Sequence, residues 1–419
     1  MYALIDCNNF YVSCERVFNP RLENKPVIVL SNNDGCVIAR SDEVKSMGVK
    51  MGEPAFKIKN TIYKNNIITF STNFALYGNM SNRVINTISS FSCDMEIYSI
   101  DEVFINLSIF NEKDLLSLSL EIKNKIKKWT GIPVSIGIAK TKTLAKAANY
   151  IAKQNKSVGV CLINSSNRLS FLNQIPISKV WGVGSKRDHF LKINGIKTAR
   201  DLSVVDLFWI RKHMTITGEK TVQELRGISC IPLELLPSSK KSICTSRTFG
   251  KMIDNDKELI NSIATYVARC AEKLRLQKSY ANVAHIFISS NSFRKDLPQY
   301  TQSKVIRFPS PLSDTGKMLA CIIPVVKKIF KSGYLYKKAG VVLSGIIADS
   351  IVQGNLFEDY YNIKNRSVLL KTIDSINKKM GRDTIRYAIQ DYNKNLILKQ
   401  QNLSQCYTTK WSDLLSVKL

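Results

Sequence analysis

The sequence predicts a multidomain protein of mixed α/β and α+β class, because the hydrophobic pattern changes twice along the chain. Residues 1–165 alternate apolar strands with amphipathic helices. From Ile175 the pattern is helical. After a stretch rich in Pro, Ser and Lys at residues 233–241, it becomes strand, helix and strand, twice over. A chain of 419 residues is also too long for one core, so roughly two to four domains are expected.

The composition indicates a polyanionic partner. The chain has 61 Lys and Arg against 33 Asp and Glu, a formal charge of +28, which suits nucleic acid or an anionic membrane surface. No apolar run is long enough to span a bilayer and no signal segment is evident, so nucleic acid is favoured over a membrane. The ten Cys are scattered without zinc-like spacing, which indicates reduced thiols and a cytoplasmic protein. With three His, a His-based metal or acid–base site is not expected.

The first element is a short apolar strand, Tyr2–Ile5, that ends at Asp6. A carboxylate at the end of a buried strand is a common position for a metal ligand, although Asp6 could also be a turn residue. Two aromatic residues then open a predicted helix, Phe10–Glu15. The next elements predicted are a strand at 25–30, a turn and strand at 31–40, a helix at 41–47, a helix at 115–129 and a strand at 133–138.

The segment Tyr98–Leu107 is the central strand of the prediction. Its residues are mostly β-branched or aromatic, yet Asp101 and Glu102 interrupt it. An unpaired carboxylate inside an apolar strand is costly and normally has a cation or metal as partner. Because strand side chains alternate between two faces, both acids can serve one site only if the strand starts or bends there. The alternative is a hairpin turn with two solvated acids.

A basic helix follows the strand at 133–138. It covers residues 139–148 and carries Lys140, Lys142 and Lys146, with Lys153 beyond it. Several Lys beside a carboxylate strand suit a phosphate-rich substrate. For any single Lys, a solvated surface position is the alternative.

Two glycines precede a helix in the helical region. Gly182 and Gly184 come just before a helix that runs to about Ile193, and Gly195 separates it from the next helix. Glycines at a helix N-terminus expose backbone N–H groups that can bind phosphate without reading sequence, although they also occur as ordinary caps. The last seventy residues are polar and weakly periodic, and only partial order is expected there.

Three carboxylates thus stand at strand ends, namely Asp6, Asp101 and Glu102. Oxygen-only ligands favour Mg²⁺. Two such ions, about 3.5–4 Å apart, can clamp the attacking and leaving oxygens of an in-line phosphoryl displacement. The pattern predicts a metal-dependent enzyme acting on nucleic acid and nucleotides, and it leaves polymerase and nuclease open.

A resemblance separates these two. The run Ala3–Glu15 resembles the first motif of the Y-family translesion DNA polymerases, Ser99–Glu102 their second acidic motif, and Ser135–Lys146 their third. Within the family, the UmuC branch, the catalytic subunit of bacterial DNA polymerase V, is resembled by Ser31–Arg40, Gly48–Gly52 and Tyr407–Leu415.

The resemblance implies a right-handed polymerase fold with palm, fingers, a helical thumb containing a helix-hairpin-helix, and a little finger. The expected boundaries are palm 1–9 and 72–165, fingers 10–71, thumb 166–236, linker 237–243, little finger 244–348 and C-terminal tail 349–419.

It also implies roles for single residues. Asp6, Asp101 and Glu102 match the catalytic metal ligands for two Mg²⁺ ions, with help from the backbone carbonyl of Cys7. Nucleotide contacts are expected from Phe10, Tyr11, Arg40, Lys45 and Lys153. Among them, Tyr11 matches the steric gate, whose ring would clash with a ribose 2′-hydroxyl. Asp42 stands where many relatives carry a phosphate-binding Tyr, so Arg40 or Lys45 is expected to compensate. Apart from the resemblance, the basic helix and the glycines near the helix N-terminus predict DNA contacts from Lys142, Lys146, Gly182, Gly184 and Gly195.

The implied function is error-prone, template-dependent DNA synthesis past damaged bases in the SOS response. The implied partners are primer–template DNA, dNTPs, a processed UmuD-like dimer, a RecA filament and the β sliding clamp. The clamp would bind a short peptide formed by Gln353, Asn355, Leu356 and Phe357. The alternatives are a catalytically inactive DNA-binding scaffold of the same fold and another palm-type nucleotidyl enzyme such as a cyclase.

Overall fold

The computed structural model describes residues 1–155, 157–351, 360–390 and 399–414. They belong to two compact units, the first comprising Met1–Pro237 with the residues from Gln400 onward, and the second comprising Ser238–Lys399. The boundary falls at the start of the predicted linker, 237–243. Among the described residues, no helix is both long and apolar enough to cross a membrane.

The first unit contains alternating strands and helices followed by a run of helices, as the hydrophobic pattern predicts. Its strands are β1 Tyr2–Cys7, β2 Val27–Leu30, β3 Val37–Arg40, β4 Ile68–Ser71, β5 Met95–Ile97, β6 Glu102–Asn106, β7 Val134–Ala139 and β8 Val160–Ile163. Its helices are α1 Phe10–Phe18, α2 Asp42–Ser46, α3 Lys59–Lys64, α4 Phe74–Ser89, α5 Leu115–Thr130, α6 Lys142–Gln154, α7 Arg168–Asn173, α8 Ser185–Ile193, α9 Ala199–Val204 and α10 Leu207–Leu225.

A five-stranded sheet with the order β5-β6-β1-β7-β8 forms the centre of this unit. Strand β1 lies in the middle and pairs antiparallel with both neighbours, whereas β7 and β8 are parallel. Ala3 and Ile5 pack in one core with α1, α4 and α5, while Leu4 packs on the opposite face with α6. This alternation follows from the two-residue period of a strand, and it places α1 and α6 on opposite faces of β1.

Helix α6 lies unusually close to the sheet. A Cβ atom at Gly137 of β7 would lie 2.1 Å from the backbone nitrogen of Asn149 of α6, so only glycine fits at that position. The close approach brings the polar face of α6 to the strand ends that carry the predicted acids.

A smaller sheet corresponds to the predicted fingers. Its order is β3-β2-β4, with an antiparallel and a parallel pair, so β4 is an edge strand. Ile28, Val37, Val44 and Val49 form its own small core. Helix α1, which the expected boundaries assign to the fingers, packs into the core of the five-stranded sheet instead.

The helices α7 to α10 correspond to the predicted thumb. Helices α8 and α9 flank Gly195, whose φ of +80° lies in the left-handed region that favours glycine. Helix α10 bends at Thr215, whose φ is +64°. The packing residues Leu191, Leu202 and Val222 lie in the same core as α6.

The second unit is an α+β sandwich, as predicted. Its elements are β9 Ile243–Ile253, α11 Asp256–Leu276, β10 Ser279–Ser290, β11 Thr301–Leu312, α12 Thr315–Ile329, β12 Tyr336–Ala348 and α13 Tyr360–Lys379. The sheet is antiparallel with the order β11-β10-β12-β9, and α11 and α12 share its core.

Helix α13 was not predicted, because the sequence indicated only a weakly structured tail. Ion pairs attach it to the rest of the second unit. Arg275 donates to both carboxylate oxygens of Asp374, at 2.7 and 2.8 Å, and Arg366 pairs with Asp314. Attachment through charged pairs leaves little apolar periodicity in the sequence.

Candidate active site

The predicted acids meet where β1 ends and β6 begins. Asp6 is the register partner of Glu102, and the backbone nitrogen of Cys7 donates to the carbonyl of Asp101 at 2.9 Å. Strand β6 begins at Glu102, so Asp101 lies in the β5–β6 hairpin turn and escapes the alternation of the strand. The condition set by the sequence, a strand that starts at the two acids, is therefore met. The turn of the alternative reading is also present, but neither acid is fully exposed.

Helix α6 supplies the counter-charges. Lys153 lies 2.6 Å from Asp6, and Lys146 lies 2.8 Å from Glu102. Four and seven residues return to the same side of a helix, so Lys142, Lys146 and Lys153 form one face. That face points at the carboxylates of the sheet.

Lys142 differs from the other two lysines of this face. Its side chain is 3% exposed and lies 2.6 Å from Glu96 of β5. Its ammonium also lies 4.9 Å from the centre of the Phe104 ring. A buried ammonium with a carboxylate partner has no surface to offer to a phosphate, so the prediction of a DNA contact at Lys142 is not supported. The residue joins α6 to the sheet.

Lys146 is also the counter-ion of an acid, Glu102, and is not free to contact DNA as placed. It is one-sixth exposed, bridges both oxygens of Glu102 and lies over the ring of Tyr98 at 4.4 Å. In the thumb, Trp181 donates from its ring nitrogen to the hydroxyl of that Tyr98 at 3.2 Å. The glycine that follows, Gly182, has a φ of +85°, and Gly184 directly precedes α8.

A cavity of about 580 Å³ lies beside Asp6 and Asp101. Cys7 and Asp42 line it. The five predicted nucleotide contacts line it as well, namely Phe10, Tyr11, Arg40, Lys45 and Lys153. Asn9, Arg16 and Met51 line it too and were not predicted. The structure thus brings together residues that are up to 147 positions apart, from Asp6 to Lys153.

The turn between β1 and α1 sets the position of Tyr11. Asn9 has left-handed backbone angles, with φ 48°, and α1 begins at the next residue. Phe10 is 4% exposed and lies in the core, whereas Tyr11 is partly exposed at the cavity. The ring of Tyr11 stacks on Tyr77 of α4 at 4.5 Å, with an interplanar angle of 14°. The expectation that Phe10 is the core aromatic of this pair is confirmed.

Two cationic side chains come from the fingers. Lys45 donates to Asp42 at 2.9 Å and to the side-chain oxygen of Asn9, and Arg40 donates to the carbonyl of Val49. The Lys45–Asp42 pair is nearly half exposed on both sides. Such an exposed pair is weak, so Lys45 can exchange Asp42 for a phosphate at little cost.

Burial dominates the electrostatics of Asp6. It raises the pKa of this carboxyl to about 7, although the Lys153 ammonium acts in the opposite direction. The neighbouring Glu102 contributes to the rise. Asp6 is therefore a carboxylate whose ionised form depends on nearby positive charge.

The donor set suits a hard cation. Within the residues that the structure describes, no three His, Cys, Asp or Glu side chains stand close enough to hold a metal ion as placed, and Lys146 and Lys153 pair with two of the acids. The acids present only oxygen atoms, and two of them already pair with ammonium groups. These residues fit Mg²⁺ better than a thiophilic metal.

One group of residues beside the cavity was not predicted from the sequence, and one predicted peptide lies outside the described residues. Glu15, Tyr77 and Ser404 form a hydrogen-bonded group behind Tyr11, and no spacing in the sequence indicates it. The clamp-like peptide with Gln353, Asn355, Leu356 and Phe357 falls outside the part of the chain that the structure describes. All ten Cys are free thiols, in agreement with the prediction of reduced thiols.

Comparison with known proteins gives consistent matches. Residues 5–150 match the impB/mucB/samB family, residues 240–356 match its C-terminal domain, and residues 367–417 match a domain of unknown function, DUF4113. Protein UmuC of Salmonella typhimurium is 40% identical over the whole of both chains. A DNA polymerase IV of Desulfatibacillum aliphaticivorans is 26% identical over 92% of this chain and 95% of its own. Among solved structures, a Y-family DNA polymerase chimera of Dbh and Dpo4 has a TM-score of 0.66 at 22% identity, over 83% of this chain and 99% of its own.

Proposed function

Because this chain belongs to the impB/mucB/samB family, the UmuC branch of the Y-family DNA polymerases, we propose that it copies DNA past damaged bases during the SOS response. It is a DNA-directed DNA polymerase. The observation that carries the proposal is the cavity beside Asp6 and Asp101, which joins acids, a stacked Tyr and four cationic side chains, Arg16, Arg40, Lys45 and Lys153. The acids would hold the metal ions, and the cationic side chains would neutralise the phosphates of a nucleotide triphosphate.

We assign two Mg²⁺ ions to Asp6, Asp101, Glu102 and the backbone carbonyl of Cys7. When bound, such ions stabilise the charge that develops on the oxygens of a transferring phosphoryl group. The chain's own residues prepare the site for cations, because burial of Asp6 makes its carboxylate dependent on nearby positive charge.

The remaining residues of the cavity bind and orient the nucleotide. Lys153 is 42% exposed, so its ammonium can turn from Asp6 to a triphosphate oxygen. Arg40 and Lys45 approach from the fingers and would contact the phosphates in place of the phosphate-binding Tyr that many relatives carry at position 42. Tyr11, held flat against Tyr77, would lie under the deoxyribose and exclude a 2′-hydroxyl.

We propose that the thumb contacts DNA and that the basic charge of the chain adds to the binding. The backbone N–H groups near Gly182, Gly184 and Gly195 would bind phosphates. Lys146 would contact DNA only if it left Glu102, and Lys142 is omitted because it is buried. We place the protein in the cytoplasm, with a processed UmuD-like dimer and a RecA filament as partners.

Lesion bypass tests this function directly. A labelled primer is extended on a template with one abasic site, with and without the UmuD-like dimer and RecA filament. We expect full-length product past the site with the partners present, where a replicative polymerase stalls. If the protein binds the primer–template but extends neither damaged nor undamaged DNA under any of these conditions, it is the inactive scaffold instead.

The clamp-like peptide yields a separate prediction. Replacing Leu356 and Phe357 by Ala should weaken binding to the β sliding clamp by roughly 30-fold, because apolar anchors dominate such extended-peptide interfaces. Surface plasmon resonance on immobilised clamp measures the change. Ile351→Ala, an exposed apolar residue just before the peptide, is the matched control. Equal clamp affinity of the double variant and the control would make the peptide a chance match.

A further inference from the structure

The C-terminal segment Gln400–Leu414 lies against the catalytic unit. It is part of the region that matches a domain of unknown function, and it groups with Met1–Pro237 rather than with the residues that precede it in the chain. None of the roles assigned so far uses it. It contacts β4, α4 and α1.

Backbone hydrogen bonds attach the segment to the edge of the fingers sheet. Leu403 forms a parallel bridge with Ser71, the last residue of the edge strand β4. The nitrogen of Ser71 donates to the carbonyl of Asn402 at 2.8 Å, and the nitrogen of Asn402 donates to the hydroxyl of Ser71 at 3.0 Å. The segment therefore pairs with the last residue of a sheet edge that would otherwise offer unpaired groups.

The segment also holds the start of α4. Asn73 caps this helix by accepting from the nitrogen of Leu76, and its side-chain amide donates to the carbonyls of Ser404 and Gln405, at 3.1 and 3.3 Å. Asn73 is 3% exposed, so these donors have no access to water as a substitute. One buried side chain thus joins the helix to the segment.

The same segment reaches α1. Tyr407 stacks on Phe18, at the end of this helix, with ring centres 4.8 Å apart and an interplanar angle of 12°. In the middle of the helix, the hydroxyl of Ser404 donates to Glu15 at 2.9 Å. Helices α1 and α4 are therefore both held from one side by fifteen residues, 400–414.

Glu15 connects these contacts to the cavity. It is 2% exposed and accepts a second hydrogen bond, at 2.6 Å, from the hydroxyl of Tyr77. The ring of Tyr77 stacks on the ring of Tyr11. Burial raises the pKa of Glu15, and the hydrogen bonds from Tyr77 and Ser404 oppose that rise. A buried carboxylate depends on such donors. Removing the Ser404 hydroxyl leaves one side-chain donor on the residue that fixes Tyr77.

Polar, directional contacts dominate the attachment. Leu403 is half exposed and Trp411 is 89% exposed, so the segment adds little to the apolar core. Contacts of this kind fix geometry more than they bury surface.

We propose that residues 400–414 are a brace of the active site, and that Ser404 is a positioning residue that sets the ring of Tyr11 through Glu15 and Tyr77. The effect on the sugar rests on the proposed function of Tyr11. The brace itself does not, because its contacts to β4, α1 and α4 are made between residues of the chain.

Four full-length variants test the brace. Ser404→Ala removes the donor, Ser404→Thr keeps a hydroxyl as a rescue, Tyr407→Ala removes the stack on Phe18, and Trp411→Ala is the exposed control on the same segment. Amide hydrogen exchange, followed by mass spectrometry, reports on peptides covering 10–18 and 68–80 without any need for activity. Single-nucleotide insertion of deoxy and ribo substrates gives the discrimination ratio.

We expect Ser404→Ala and Tyr407→Ala to speed exchange in both peptides by about fivefold or more, the scale of one lost buried contact. Ser404→Ala should also lower the deoxy/ribo discrimination several-fold, with Ser404→Thr and Trp411→Ala near wild type in both measurements. Unchanged exchange in Ser404→Ala and Tyr407→Ala would overturn the brace. Faster exchange with unchanged discrimination would overturn the link to Tyr11. If the wild-type protein inserts no nucleotide, the proposed function has failed, and the exchange arm still decides the brace.

Discussion

Replacing Asp101 by Asn together with Glu102 by Gln is expected to lower the rate of primer extension by at least about 10³-fold, because removing one charge-stabilising group typically costs about 10²–10³-fold and this variant removes two. Both side chains lie at the start of β6, opposite Asp6. The amides keep the shape of the acids but remove two negative charges that the proposed cations require. Single-turnover extension of a labelled primer measures the loss.

DNA binding is the internal control for this double variant. Its affinity for primer–template, measured by fluorescence anisotropy, should stay within about twofold of wild type, because phosphate binding depends on the basic surface. The Lys146 and Glu102 side chains are only 16% and 19% exposed, but the amide that replaces Glu102 keeps an oxygen that can accept from the Lys146 ammonium, so the fold should be kept. Glu121→Gln, on the exposed side of α5, is the matched single-charge control. Extension within tenfold of wild type would contradict the metal-ligand assignment.

The start of β6 at the two acids could be predicted because it depends only on the local sequence pattern. An apolar run interrupted by two acids can serve one site only if the strand starts there, and β6 starts at Glu102. The same local logic predicted the core position of Phe10 and the cavity position of Tyr11, since adjacent helical residues do not share a face.

The roles of the lysines on α6 were not predictable in this way. Spacing shows that Lys142, Lys146 and Lys153 share a face, but it does not show what that face meets. The close packing at Gly137 turns it toward Glu96, Glu102 and Asp6. A basic stripe that suggests a phosphate surface is therefore, in part, the set of counter-ions for the acids of the sheet.

The C-terminal segment escaped prediction for a related reason. Its attachment depends on single polar contacts, such as Ser404 to Glu15 and Asn402 to Ser71, which lie more than 300 residues apart in sequence. Such contacts impose no hydrophobic period on the chain. A polar, weakly periodic sequence is thus compatible with a segment that is well attached.

Replacing Tyr11 by Ala is expected to admit ribonucleotides, with the deoxy/ribo ratio of insertion efficiency falling by roughly 10- to 100-fold, the range of a steric clash in a packed site. The ring is partly exposed at the cavity, stacks on Tyr77 and contacts Phe74 edge-on at 6.4 Å. A ring held by two aromatic neighbours cannot move aside easily for a 2′-hydroxyl. Steady-state insertion of each deoxy and ribo pair opposite an undamaged template base measures the ratio.

Two variants separate the clash from other effects of this substitution. Tyr11→Phe keeps the ring and loses only the hydroxyl, so it should keep most of the selectivity if exclusion is steric. Phe74→Ala removes one of the two aromatic neighbours and should weaken selectivity less than Tyr11→Ala, because Tyr77 still holds the ring from its face. Thermal unfolding of each variant shows whether the fold survives. If folded Tyr11→Ala excludes ribonucleotides as strongly as wild type does, the sugar is selected elsewhere, and the stacked ring of Tyr11 serves only to pack α1 against α4.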